Sequence, residues 1–346
     1  MKALVTGATG FIGSHIVDHL LARGDSVRAL VRPARAERTP LLERERLVWS
    51  YGDLTDPASL QSATHGIEVV YHAAALLTAP SDELMHMVNV TGVKNLLDAC
   101  VQNRVERLVF ISSVAAYAPT QDLVVGEHAP LGGWGPYGRS KAEAEALIRS
   151  YAESFRLAYS VVRPCVVYGE GDHNNFTPRL LRLLRRSVVP VLTGDAPHMI
   201  MVHAADVAQA TILAGTHPKA FGQAYNITGG APTSLRELAG IYAELTGDRK
   251  RLLPIPRFGA KTALLARWLL ANLRHRHWEQ LAMRYRAREY QRSFFLRSHQ
   301  YDISKAQGEL GYEPGVDLRE GLRRTLAWAN SGECHTPSKP TDKEAR

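Results

Sequence analysis

The first fourteen residues, MKALVTGATGFIGS, constrain the chain more than any other stretch. Ala3, Leu4 and Val5 form a short apolar run suited to a strand buried on both faces. Gly7, Gly10 and Gly13 follow at intervals of three, and Ile12, Ile16, Val17 and Leu20 then repeat with helical spacing. A strand, a glycine turn and a helix start in that order make a cradle for a pyrophosphate. Glycine lets the backbone turn sharply and approach the anion closely. The first N–H groups of the helix then face it. Glycine patterns are common in turns, so the weight of this one comes from its place directly after a strand.

Further strands are predicted at Ser26–Val31, Leu47–Tyr51, residues 69–71 and Arg107–Ile111, with a helix over residues 88–100. In a nucleotide-binding unit the end of the second strand meets the adenosine ribose. An acid there would bind the 2′-hydroxyl and repel a 2′-phosphate. Here Val31, Arg32, Pro33, Ala34 and Arg35 include no acid, and Arg32 can pair with a phosphate. This favours NADP(H) over NAD(H); the alternative is that these arginines are solvated loop charges. Asp53 can accept from an adenine amino group while Leu54 packs on the ring, or it can cap the helix after Pro57. Ala73, Ala74 and Ala75 are small enough for a cofactor to lie against the backbone. Asn89, among Val90, Val93, Leu96 and Leu97, is either a satisfied core amide or a cofactor contact.

Ser112 and Ser113 end the 107–111 strand. After a loop rich in Gly and Pro, Tyr137 and Lys141 stand four apart, on one helical face. A free tyrosine titrates near ~10, and a nearby ammonium and an oxidised nicotinamide both favour the phenolate. Tyr137 would then exchange a proton with a substrate hydroxyl or carbonyl. Ser113 would hold that oxygen, and Lys141 would reach the nicotinamide ribose.

These residues resemble the extended short-chain dehydrogenase/reductase (NAD-dependent epimerase/dehydratase) family, from residue 1 to about Trp328. The match runs through TGATGFIG, GDLTD at 52–56, NVTG at 89–92, ISS at 111–113, YGRSK at 137–141 and RPCVVYGEGD at 163–172. HAADVAQA at 203–210, YNITGG at 225–230 and YDISKAQGELGYEP at 301–314 continue it. The resemblance implies an α/β fold, a Rossmann-type doubly wound parallel sheet with a smaller C-terminal substrate-binding domain. Residues 1–165 and 205–228 would form the NAD(P)-binding domain, 166–204 and 229–328 the substrate domain, and 329–346 a disordered tail. It further implies Ser113, Tyr137 and Lys141 as the catalytic set. Gly7, Thr9, Gly10, Phe11, Ile12 and Gly13 would hold the cofactor, with Arg32, Asp53, Leu54, Ala73, Ala74, Ala75, Asn89, Ser112 and Pro164, and with Tyr137 and Lys141 themselves.

Departures from the family pattern bear on the substrate. The sugar-nucleotide dehydratases carry an Asp-Glu pair directly after the catalytic serine or threonine, where this chain has Val114 and Ala115. The epimerases carry an arginine for the diphosphate where Met199 stands. A wall bearing Met199 and Met201 suits an apolar substrate better. Asn175 does match a substrate-contacting asparagine of the epimerases, which keeps a sugar nucleotide in view. The late segment looks like the 3β-hydroxysteroid dehydrogenase-like branch. The expected activity is therefore NAD(P)-dependent interconversion of a hydroxyl and a ketone on an apolar, sterol-like or long-chain substrate. The alternative is an NAD-dependent sugar-nucleotide epimerase.

Composition sets the remaining bounds. At 346 residues, 45% apolar and 22% charged, the chain can bury a large core. Its net charge of +8 is local, because residues 251–300 hold 11 Lys and Arg against two Glu. That excess does not mark a nucleic-acid-binding protein. The basic, aromatic 261–297 segment is instead expected to make peripheral membrane contact or to pack as a solvated helix. Cys100, Cys165 and Cys334 lack disulfide or metal spacing. His72, His198 and His203 have no acidic companions in sequence, so no metal is expected. A strand beginning at residue 3 leaves no room for a secretory signal, and no apolar run reaches the ~18 residues of a membrane span. The expected location is cytoplasmic. Homodimers are frequent in the family, but no separate dimer signal is present.

Overall fold

The computed structural model describes residues 1–36, 43–120, 122–173, 175–193, 199–256 and 300–331. The strands are β1 (Lys2–Thr6), β2 (Ser26–Val31), β3 (Leu47–Tyr51), β4 (Val69–His72), β5 (Arg107–Ile111), β6 (Val124–Val125), β7 (Ala158–Pro164), β8 (Val166–Tyr168), β9 (Val188–Leu192), β10 (Met201–His203), β11 (Gln223–Ile227), β12 (Arg251–Ile255) and β13 (Gln300–Tyr301). The helices are α1 (Phe11–Ala22), α2 (Pro33–Ala36), α3 (Pro57–Thr64), α4 (Asp82–His86), α5 (Gly92–Gln102), α6 (Gly135–Phe155), α7 (Phe176–Leu184), α8 (Ala204–Thr216), α9 (Leu235–Thr246), α10 (Ser304–Leu310) and α11 (Leu318–Asn330).

Seven strands make one sheet in the order β11-β7-β5-β4-β1-β2-β3, every neighbouring pair parallel. Its central strands are buried on both faces, as their apolar runs require. Alternate residues of β1 serve two cores. Ala3 and Val5 pack with Ile16, Val17 and Leu20 of α1 and Val207 of α8. Leu4 packs on the other face with Leu60, Val93, Leu97 and Ile148 from α3, α5 and α6. This is the Rossmann-type sheet expected from the sequence. Strand order reverses at β1, with β2 on one side and β4 on the other. Ligands of open α/β sheets bind in the crevice that such a reversal opens at the carboxyl ends of the strands.

A third core joins Tyr168, Leu181, Leu184, Met201, Leu238 and Leu322, from β8, β10, α7, α9 and α11. It is built from the two stretches expected to form the smaller domain. Residues 300–312 depart from that expectation. Ala306, Leu310 and Tyr312 pack into the core on the α1 side of the sheet. Gln300 and Tyr301 pair with β6, and the Tyr312 hydroxyl donates to the Thr228 carbonyl at 2.9 Å. Helix α11 continues to Asn330. The basic 261–297 segment, His198, Cys334 and the tail from 332 lie outside the described residues.

Cys100 and Cys165 are buried free thiols, and desolvation raises the pKa of each. Among the described residues no cluster of three His, Cys, Asp or Glu is placed to hold a metal. No described helix is long and apolar enough to cross a membrane.

Candidate active site

The glycine turn and the segment after β4 meet in the crevice. Gly7 has φ of 70°, a conformation L side chains rarely adopt, and a Cβ there would lie 2.7 Å from the Ala74 nitrogen. A Cβ on Gly13 would lie 2.0 Å from the Gly7 carbonyl oxygen. Both glycines are therefore required by backbone approaching backbone. Gly10 is the N-cap of α1 and has no side chain to satisfy the first N–H groups of the helix. Thr9, Gly10, Phe11 and Ile12 are half-buried or exposed along this opening. A cradle that a methyl group would fill, with unspent N–H donors, fits a pyrophosphate. Gly13→Ala is expected to destabilise the protein by about 1–3 kcal/mol and to weaken NADPH binding more than tenfold, measured by denaturant unfolding and fluorescence titration.

The Thr6 hydroxyl, 2.7 Å from His72 Nδ1, also accepts from the Ala74 N–H at 3.3 Å. Burial pulls His72 down to about 3, so this ring is neutral at physiological pH. Arg32 is exposed just past the end of β2. Asp53 Oδ1 accepts from the Thr55 N–H and hydroxyl, at 2.9 and 2.7 Å. The cap of α3 is Asp56, whose side chain accepts from the Ala58 N–H, so Asp53 does not cap that helix.

Several expected contact residues are turned into the protein. Leu54 is buried, and a Cβ on Gly92 would lie 2.8 Å from its Cβ. Asn89 lies in a π-helical turn, Met87–Thr91, that joins α4 to α5; such turns are frequent at functional sites. Its amide accepts from the Leu76 N–H at 2.8 Å and donates to the Leu76 carbonyl at 2.9 Å and the Ser140 hydroxyl at 3.0 Å. It is a satisfied core amide that clamps the chain following Ala73, Ala74 and Ala75 to α6. The buried Ser112 hydroxyl donates to Glu145 at 2.6 Å. Pro164 ends β7, paired in register with Ile227. Met201 is buried in the third core, and Met199 is half-buried against it, bridged to Thr233 by two backbone hydrogen bonds. Asn175 is the N-cap of α7 but its side chain makes no capping bond.

Ser113, Tyr137 and Lys141 come together beyond the end of β5. Ser113 hydrogen-bonds the Tyr137 side chain, and its hydroxyl accepts from the Ala115 N–H at 3.1 Å. Tyr137 is the third residue of α6, and Lys141 lies one turn on. Lys141 is buried, and its Nζ donates to the Ile111 carbonyl at 2.7 Å. The same Nζ lies 4.5 Å from the Phe110 ring centroid and 5.9 Å from that of Tyr137. Burial pulls Lys141 down to about 7, against the opposing charge of Glu145. Burial pushes Tyr137 up to about 12, only partly offset by Ser113. The phenolate expected from the sequence is therefore not what this arrangement favours. Lys141 Nζ is aimed at a carbonyl, and the desolvation of Tyr137 favours the phenol over the phenolate. A protonated phenol beside a serine hydroxyl is equipped to donate to a carbonyl oxygen.

A model of the NAD dependent epimerase/dehydratase family matches residues 3–228. The chain belongs to that family. Members of its extended short-chain dehydrogenase/reductase type are NAD(P)-dependent enzymes, and this chain is one of them. It is 31% identical over 329 residues to a 4-hydroxy-2-methyl-3-oxo-4-farnesyl-3,4-dihydroquinoline-1-oxide ketoreductase of Stigmatella aurantiaca, with 93% of this chain and 95% of the relative covered. It is 27% identical to a 3-beta-hydroxysteroid dehydrogenase of Mycolicibacterium neoaurum, with 94% and 91% covered. This supports the 3β-hydroxysteroid dehydrogenase-like branch. Among solved structures, the UDP-glucose 4-epimerase of Thermus thermophilus in complex with NAD superposes with a TM-score of 0.72 at 26% identity, covering 96% of this chain and all of that one.

Arg163, buried on β7, donates to Glu145 at 3.0 and 2.6 Å and to the Tyr117 hydroxyl at 2.9 Å, a network that gave no sign in the sequence. The nearest hint was the spacing of Lys141 and Glu145, four apart on one helical face.

Proposed function

We propose that this family member reduces the ketone of an apolar substrate, sterol-like or long-chain, to an alcohol and prefers NADPH. The observation that carries the reading is the Tyr137 side chain hydrogen-bonded to Ser113 beyond the end of β5, with Lys141 one helical turn on. Gly7, Gly10 and Gly13, with the N–H groups of Phe11 and Ile12, hold the pyrophosphate, and Ala73, Ala74 and Ala75 give the cofactor a smooth wall. When bound, the reduced nicotinamide supplies a hydride. Ser113 holds the substrate oxygen, and Tyr137 Oη gives that oxygen its proton. Lys141 bonds the nicotinamide ribose. Two features support an apolar substrate: Met199 in place of a diphosphate-binding arginine, and relatives named for farnesylated and steroid compounds.

The test is NADPH consumption by the purified protein with a steroid ketone, a long-chain ketone and UDP-glucose. Turnover of an apolar ketone is expected. Inversion of UDP-glucose without net redox change would overturn the reading. That second outcome is the epimerase reading, favoured by Asn175, whose side-chain amide is not spent on capping α7.

The NADP(H) preference rests on Arg32, exposed past a strand end that carries no acid. Arg32→Ala is expected to weaken NADPH by about tenfold, in line with the loss of a charge-assisted hydrogen bond of ~1.5 kcal/mol, and to leave NADH nearly unchanged. Equal effects on both cofactors, measured by fluorescence titration, would refute the assignment. The third core, from β8, α7, β10, α9 and α11, forms the substrate side. A homodimer and a membrane contact through 261–297 belong to the same proposal; gel filtration with light scattering and vesicle sedimentation test them.

A further inference from the structure

Phe110 is a fully buried residue of β5 that the chemistry above does not use. Lys141 Nζ lies over its ring, 4.5 Å from the centroid. The same nitrogen donates to the carbonyl of the next residue, Ile111, at 2.7 Å. Glu145, the acid one helical turn further along α6, is paired with Arg163 at 2.6 Å. The ring is fixed from the side of the glycine turn. Phe110 stands opposite His72 in the register of β4 and β5, and the two rings stack at 5.7 Å with 17° between their planes. His72 is oriented in turn by the hydroxyl of Thr6, 2.7 Å from its Nδ1, and Thr6 immediately precedes Gly7. Three adjacent strands, β1, β4 and β5, thus hold one aromatic face in place, and the lysine of α6 is laid over it.

We propose that Phe110 is a positioning residue: the face of its buried ring holds the charged Lys141 Nζ at the site. This role rests on the reading of Lys141 as the side chain that bonds the nicotinamide ribose. An aromatic face carries partial negative charge and attracts a cation within about 6 Å of its centroid, most strongly where water is excluded. Lys141 is 3% exposed and Phe110 0%, so the contact is dry. An ammonium has three donors, and the Ile111 carbonyl takes one of them. The ring attracts the charge without engaging the other donors as a carboxylate would, which leaves N–H groups for a ribose hydroxyl. The other titratable side chains around Lys141 are His72 on β4, stacked on the same ring, and two on α6: Tyr137, whose centroid is 5.9 Å from Nζ, and Glu145. A Phe110 that only filled space would be replaceable by any ring of its size.

The test replaces Phe110 in the full chain with mono-, di- and trifluorophenylalanine. These keep the shape of the ring, and with it the packing, while withdrawing negative charge from its face. The titration of Lys141 is read by NMR of ε-carbon-labelled lysine, its signal assigned by absence from Lys141→Met. A weaker hold on the cation favours the neutral amine. The acid dissociation constant of Lys141 is therefore expected to rise stepwise with the number of fluorines, by about tenfold across the series. A constant unmoved from phenylalanine to the trifluoro ring overturns the proposal, because a space-filling ring behaves in that way. Binding and turnover separate the two readings. If Lys141→Met keeps full affinity for NADPH and full activity on a steroid ketone, the reading of the lysine fails, while the fluorinated series still decides the role of Phe110.

Discussion

Tyr137→Phe is expected to lower ketone turnover by about 10²–10⁴-fold, the usual worth of a positioned general acid. Affinity for NADPH is expected to stay within about twofold, since a phenyl ring of the same shape leaves the glycine cradle and Lys141 in place. The hydroxyl lost is the one that Ser113 hydrogen-bonds. Its pKa, pushed up to about 12 by burial, makes it a proton donor across the neutral range. Turnover in the reductive direction should therefore persist through mildly alkaline pH and fall as the donor ionises. Steady-state kinetics beside a cofactor titration check both parts. Retained turnover would remove Tyr137 from the mechanism. A parallel loss of cofactor affinity would make its role structural.

The second large effect is on stability. Arg163→Ala is expected to cost about 3–5 kcal/mol, because it leaves the fully buried Glu145 carboxylate without its main partner. Arg163 is itself 2% exposed, and its guanidinium makes two hydrogen bonds to Glu145 and one each to Tyr117 and Glu127. The pair holds the guanidinium charged, its pKa raised above the ordinary value despite burial. Glu145→Gln/Arg163→Met is expected to lose less than Arg163→Ala, since no charge is left alone in the interior. Urea unfolding of the three proteins measures this. A loss below about 1 kcal/mol for Arg163→Ala would mean that the carboxylate finds water or another cation once the arginine is gone.

Much of the first half was legible because its signals are local. The apolar runs at Leu4, Val70 and Val109 predicted strands that lie side by side at the centre of the sheet. The spacing of Gly7, Gly10 and Gly13 predicted a turn whose close approaches now require two of them to lack a Cβ. Tyr137 and Lys141 were visible as a helical pair. What escaped were choices between partners far apart in sequence. The amide of Asn89 had two readings. It is a core amide because Leu76 and Ser140, 13 and 51 positions away, are brought to it. Ser112 was expected at the cofactor, yet it turns to Glu145, 33 positions on. Residues 300–312 carried no sign that they would leave the smaller unit and cover the large sheet.

The sequence by itself determined the central strands, the glycine turn after the first of them and the helical pair Tyr137 and Lys141. Each of these follows from side-chain periodicity or backbone freedom within a few residues. Tertiary structure alone decided the charge states. The fold buries Lys141 and directs it to the Ile111 carbonyl, half-buries Tyr137 against Ser113, and pairs Glu145 with Arg163 one turn further along α6. Burial and partner distance govern a pKa, and neither exists until strands remote in sequence lie next to one another.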